Sequence, residues 1–185
     1  MSFTSQIENR NFLSPGGFRF TLGKYPKVAY FAQAANIPGI SVGEVQQPTP
    51  YRTTYREGFM TYQPFSLRFM VDEDLENYLI IHNWMRGLAT PDNYAERENL
   101  DTVEMNAPSK SIGNLNFADG TLFVLSSNFQ PKFQIYFRDL NPTNLTTLEF
   151  DGNLSDTEYF SAQVDFNYLS YQIQDLNGKQ IQKLT

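Results

Sequence analysis

Residues 65–88 read FSLRFMVDEDLENYLIIHNWMRGL, and the chain changes its period once inside them. Phe65, Leu67, Phe69 and Val71 fall on one side of an extended segment and Ser66 and Arg68 on the other, the two-residue period of a half-buried strand. Asp72-Glu73-Asp74 then supplies a helix cap and an acidic first turn, where the helix dipole is positive. Leu75, Tyr78, Leu79, His82 and Met85 follow at helical spacing, with a stop at Gly87, so one helix is predicted over about residues 74–88. Ile80, Ile81, Trp84 and Leu88 widen its apolar stripe beyond a single seam. The expectation is that Leu75, Leu79, His82 and Met85 pack on the subunit's own sheet, while Ile80, Ile81 and Trp84 form a helix interface with another chain.

Outward from that junction the elements read as strands. Residues 17–22 alternate apolar and polar side chains, and residues 28–34 are extended until Asn36-Ile37-Pro38-Gly39. Residues 121–129 and 132–138 form a hairpin through Gln130-Pro131, Asn141-Pro142-Thr143-Asn144 punctuates, residues 145–150 are extended, and Asp151-Gly152 turns. The longest strand covers residues 159–171, with Phe160, Ala162, Val164, Phe166 and Tyr168 on one face and Ser161, Gln163, Asp165 and Asn167 on the other. Residues 89–118 are polar and acidic and read as loop. Residues 46–58, QQPTPYRTTYREG, have two prolines and no apolar period, and read as a long, exposed, basic excursion. Such a loop has little to bury in its own domain, so Arg52, Tyr55 and Arg56 become candidate inter-subunit contacts.

The 185 residues, 41% hydrophobic and 18% charged, suffice for one domain with a core, bounded by a polar N-terminal arm (1–16) and a C-terminal tail (172–185) expected to be weakly ordered. Aromatics at 15% favour a β-rich fold. No apolar run approaches the roughly 20 residues of a membrane helix, so no membrane partner is expected. The first eleven positions lack a signal-peptide pattern, which predicts a cytosolic product. A net charge of -6 argues against gripping nucleic acid through its phosphates. The charge is uneven, +4 over residues 1–71 and -10 over residues 72–185. That asymmetry suits a polarised surface, and equally copies that associate head to tail.

No set of residues for catalysis emerges. Gly39-Ile40-Ser41-Val42-Gly43 matches a nucleophile elbow, but Glu44-Val45-Gln46-Gln47-Pro48-Thr49-Pro50 cannot provide the helix that must follow the serine. His82, the single histidine, lies on the apolar stripe of the predicted helix and is expected to pack rather than to ligate. Asp72, Glu73, Asp74 and Glu76 lack the alternation and glycine of a calcium loop. With no cysteine, phosphate loop or dinucleotide fingerprint, no cofactor or metal is expected.

The order of features is nevertheless distinctive. Ala35-Asn36-Ile37-Pro38-Gly39, then residues 65–74 with His82-Asn83-Trp84, then Asn141-Pro142-Thr143-Asn144 through residues 160–168, resemble segments of contractile-tailed phage tail tube proteins and of the related baseplate tube initiators. The resemblance runs from about residue 12 to 171. It implies a mainly β (α+β) fold, an antiparallel β-barrel or sandwich with one flanking helix, in a structural and non-enzymatic virion protein. It further implies homohexameric rings, a conduit for DNA during ejection, and tail sheath, baseplate or other tube-ring proteins as neighbours. Assembly would take place in the host cytoplasm, with DNA only a non-specific cargo. In such a ring Ser161, Gln163, Asp165 and Asn167 become lumen-facing candidates, with Asp165 repeated around the channel as a ring of negative charge. A soluble carbohydrate-binding or adhesive β-sandwich, with exposed tyrosines stacking on sugars, is the competing reading of the same composition.

Overall fold

The computed structural model describes residues 13, 16–25, 28, 32–89, 117–150 and 159–181. Within them the order is β1 (Phe18–Leu22), β2 (Ala32–Ala35), β3 (Ile40–Pro48), β4 (Thr53–Tyr62), β5 (Phe65–Met70), α1 (Glu76–Ala89), β6 (Ala118–Leu125), β7 (Pro131–Leu145), β8 (Ser161–Asn167) and β9 (Ser170–Gln174). The expected N-terminal arm lies almost wholly outside the described residues, and so do nearly all of the expected 89–118 loop, the Asp151-Gly152 turn and residues 182–185.

Seven strands pair antiparallel in the order β1-β6-β7-β8-β5-β2, with β9 also on β7. The long strand β7 organises this sheet. Its residues 134–138 lie between β6 and β9, and its residues 141–145 pair with β8. Asn141 opposes Asn167 and Arg138 opposes Ser170, while the Leu169 amide donates to the Arg138 carbonyl at 3.0 Å. Thus β8 and β9 are two parts of one strand, interrupted at Tyr168-Leu169. The end strands β1 and β2 approach each other, so the sheet curls back on itself around the core.

Side-chain alternation determines what that core contains. Phe65, Leu67 and Phe69 from β5 and Ala162, Val164 and Phe166 from β8 are fully buried, as are Ile135, Phe137 and Leu140 from β7. The Phe65 ring lies 5.1 Å from Phe20, 4.6 Å from Phe137 and 6.1 Å from Phe166, joining four strands through one aromatic cluster. Each such side chain contributes about 1.5–3 kcal/mol by leaving water. At Gly120 a Cβ would fall 2.5 Å from Leu140 Cδ1 and 3.1 Å from the Phe20 ring, so any side chain there would have to displace these core groups.

Helix α1 begins later than the acidic cap predicts. The Leu75 amide donates to the Asp72 carbonyl in a turn, Leu75 itself has φ 57°, and regular helix starts at Glu76. Buried Asn77 joins strand to helix: its Nδ2 donates to the Met70 carbonyl at 2.7 Å and its Oδ1 accepts from the Asp72 amide at 3.2 Å. The buried face is also rotated from the expected one. Ile81 and Trp84 lie in the core, where the Trp84 ring packs at a tilt against Tyr25 (5.2 Å) and Phe166 (6.1 Å), whereas Leu79 and His82 are exposed. The expected helix interface of Ile80, Ile81 and Trp84 is therefore corrected for Ile81 and Trp84. Their apolar area is already spent on this subunit's own core, and Ile80 is partly buried against it.

Three further differences have local causes. Asn141-Pro142-Thr143-Asn144 does not end β7, because Pro142 sits at a bulge opposite Phe166, where a missing amide donor is tolerated. Phe160 lies just before β8 and packs on Phe150 at 4.7 Å instead of entering the core. The C-terminal tail is ordered through its first residues: β9 extends to Gln174, and a turn over 175–178 returns the chain so that the Ile181 amide donates to the Ile173 carbonyl.

Candidate functional site

The expected loop over residues 46–58 is a β-hairpin. Strands β3 and β4 pair only with each other and stand apart from the main sheet as an arm with solvent on both faces. Its prolines fit because Pro48 ends β3 and Pro50 lies in the connection, closed by the Thr49 amide and hydroxyl, which both donate to the Arg52 carbonyl. Apolar periodicity is missing because neither face is buried against this subunit. Phe59 is 89% and Tyr51 99% exposed, and Ile40, Val42, Val45, Tyr55 and Met60 are also open. Midway, Gly58 opposes Gly43 across a bulge, where a Cβ on residue 58 would come within 2.8 Å of the Gly43 carbonyl oxygen.

Charge on the arm is sorted by face. Glu44 is directly opposite Glu57, and the next pair, Val45 and Arg56, points to the other side. Like charges directly opposed are destabilising within a hairpin, and so is an unsupported two-stranded ribbon in water. Of the three candidate contacts, Tyr55 shares the face of the glutamates, Arg56 lies on the reverse face and Arg52 sits in the exposed turn.

At the root of the arm the chain is held on two sides. Asn36 accepts from the Ser66 amide at 2.7 Å and donates to the Pro64 carbonyl at 3.3 Å. From the other side Tyr168 Oη donates to the Gln63 carbonyl at 2.8 Å and Tyr171 Oη to the Pro38 carbonyl at 3.2 Å. The Tyr62 ring completes a triangle with these tyrosines, 5.8 Å from Tyr168 and 5.6 Å from Tyr171, which are 5.9 Å from each other. Beyond a surplus of tyrosine nothing in the sequence points to this cluster, since alternation assigns Tyr168 only an apolar role.

The four lumen-facing candidates share the outward face of β8, as their alternation predicts: Ser161, Gln163 and Asn167 are exposed and Asp165 is partly buried between neighbouring strands. The Asp165 carboxylate accepts from Ser66 Oγ at 2.5 Å, Asn144 Nδ2 at 3.1 Å and Gln163 Nε2 at 3.1 Å. The Ser66 bond, ahead of the two amide donors, holds this carboxyl below its usual range in spite of partial desolvation. Asp165 thus ties β8 to β5 and β7. Arg68, opposite Gln163, adds a positive charge to the same face.

The tyrosines also make a prediction about alkaline stability. Burial pushes Tyr25, Tyr136 and Tyr168 up to about 12; Asp119 adds to the effect at Tyr136, and Tyr171 and Tyr62 add to it at Tyr168. The folded state therefore favours the neutral phenol. That contribution is complete below pH ~10 and lost as the pH rises towards ~12. Thermal melts over this interval should show a falling midpoint, with phenolate absorbance lagging that of unfolded chain; a flat midpoint to pH ~12 would contradict it.

No catalytic constellation forms among the described residues. Ser41 lies in an exposed strand of the arm, its Oγ 2.6 Å from Thr61 Oγ1, and His82 is exposed on α1 rather than packed as its stripe position predicts. No group of three or more His, Asp and Glu capable of holding a metal occurs among the described residues, and no helix there is long and apolar enough to cross a membrane.

Comparison with known proteins connects these features. The family model described as phage tail tube protein matches residues 5–174. Among solved structures, the tube-terminating cap of the anti-feeding prophage is similar at 16% identity, covering 95% of this chain and 99% of that one, with a TM-score of 0.59. The sheath-tube complex of PVC, an extracellular contractile injection system, in the extended state is similar at 13% identity, 95% and 100% coverage and a TM-score of 0.55. The sheath/tube terminator of that system gives 13% identity, 91% and 99% coverage and 0.56. At these identities the likeness is one of fold. No curated protein matches the chain.

Proposed function

Because the chain belongs to the phage tail tube protein family, we propose that six copies close into a ring of a contractile tail tube, that rings stack, and that their lumen conveys DNA during ejection. The arm carries this reading. A hairpin with strands of nine and ten residues, apolar groups open on both faces and two glutamates opposed on one of them is stable when other chains cover it. Because its faces differ in charge, a two-fold contact joining like faces would set glutamates against glutamates. A heterologous contact, the kind that closes rings, avoids this. The proposed contacts are Arg52, Tyr55 and Arg56.

The outward face of β8 would form part of the channel wall. Ser161, Gln163 and Asn167 are small or neutral, and Asp165 and Arg68 carry opposite charges on the same face, so DNA would find neither a cationic surface to bind nor a hydrophobic one. Similar folds in a tube cap and a sheath-tube complex support sheath and end-ring proteins as neighbours in the virion tail, with a structural rather than an enzymatic role.

Negative-stain microscopy of the purified protein should show rings or tubes; a monomer retained on glycan would overturn the reading in favour of an adhesive sandwich. For the wall, Asp165→Lys should make tubes retain DNA, increasingly at low salt as screening weakens. Ser161→Lys places a charge on the same face outside the Asp165 network and should act alike. Tubes of both variants that release DNA as the unmodified protein does would remove this face from the lumen.

A further inference from the structure

The arm meets the body through two short connections, residues 36–39 and 63–64, each containing a proline. Between the connections the backbone contributes the bond from the Gln63 amide to the Gly39 carbonyl at 3.0 Å. A ribbon of nine to ten residues is about 30 Å long, so a rotation of only about 10° at its root moves the tip by roughly 5 Å. Contacts made by the tip therefore demand a fixed root.

We infer that Tyr168 and Tyr171 are positioning residues that fix the direction in which the arm leaves the body. Each holds one side of the root: Tyr171 bonds the carbonyl of Pro38, just before β3, and Tyr168 that of Gln63, just after β4. Tyr62, the last residue of β4, packs against both of their rings, which also touch each other. Both anchors are rigid in turn. Their rings lie 5.4 and 5.9 Å from Phe137, which is fully buried, and they flank the Leu169 position where β8 gives way to β9. The strand that presents the polar face thus also sets the arm, and a displacement of one is felt at the other.

The consequence for assembly rests on the arm being the contact element proposed above; the clamp itself is a property of one subunit and is measured there. The chain has no cysteine, so Gln47→Cys near the arm tip and Arg19→Cys on β1, both exposed, place a spin-label pair without ambiguity. With labelled chains diluted in unlabelled ones, pulsed electron-electron resonance reads the arm-to-body distance within one copy. Tyr168→Phe with Tyr171→Phe keeps both rings and removes both hydroxyl bonds. It should broaden that distribution roughly twofold while the melting temperature stays close to that of the parent. Tyr136→Phe, whose hydroxyl instead bonds Asp119, should leave the width unchanged. Equal widths in the parent and the double variant would overturn the clamp. If the double variant does not fold, Tyr171→Phe alone is read the same way. A broadened arm in subunits that still form rings at unchanged concentration would leave the clamp standing and remove the arm from the assembly proposal.

Discussion

Trp84→Ala is expected to cost the isolated subunit about 3–5 kcal/mol, the range for deleting a large buried aromatic, because the indole has no exposed surface and packs against rings from the sheet and from the segment after β1. A domain of this size with a stability of about 5–15 kcal/mol loses much of its margin, and its melting midpoint should drop by about 10 °C or more. Lys24 Nζ, 5.5 Å from the indole ring centre, loses that ring as well. Circular dichroism melts of the monomer check this. As the only tryptophan, Trp84 also reports directly: its emission should already be that of a buried indole before assembly and shift little when rings form. A monomer melting as before, with assembly abolished, would return Trp84 to an interface.

Shortening the arm should do the opposite, leaving the subunit folded and preventing its assembly. The register indicates where to cut. Excising Thr49–Glu57 would strand Glu44 and the residues after it without partners, whereas replacing residues 45–56 by an Asn-Gly turn lets the opposed pair Glu44 and Glu57 close a two-residue hairpin. None of the removed side chains belongs to the core, so the melting midpoint should move by no more than a few degrees. Loss of the exposed Tyr51, Tyr55, Arg52 and Arg56 should leave monomers at concentrations where the parent gives rings. Sedimentation or microscopy decides it, and rings at unchanged concentration would remove the arm from the assembly mechanism.

The sequence reveals the strands buried on one face and conceals what answers to other forces. Alternation in residues 65–71 and 160–168 located β5 and β8 closely, because their inner side chains all meet one core. The arm has no such alternation: with solvent on both faces, nothing selects polar residues for one side, and a paired strand then looks like a loop. In α1 apolar residues occur nearly all round, so Leu75, Leu79, His82 and Met85 fit helical spacing as well as the face that is actually buried, Asn77, Ile81, Trp84 and Gly87. The bulkiest side chain decides between the two phases, since the core gains most from Trp84 and the joint with β5 needs Asn77. The tyrosine cluster at the root could not be read at all, because its carbonyl partners lie 105 and 133 residues away.

Strand order also has a consequence in time. β1 waits for β6, a hundred residues later in places, and β5 is flanked by β2, made before it, and by β8, about a hundred residues after it. With so many distant pairings, folding belongs to the slow millisecond-to-second class, and most of the sheet cannot close until the C-terminal strand is available. Tyr168 and Tyr171 lie on that last segment. A nascent chain therefore carries an arm whose root is not yet locked, and on the proposed assembly the arm would take its working direction only after Tyr168 and Tyr171 have been made, which would guard the chain against joining its neighbours while still on the ribosome.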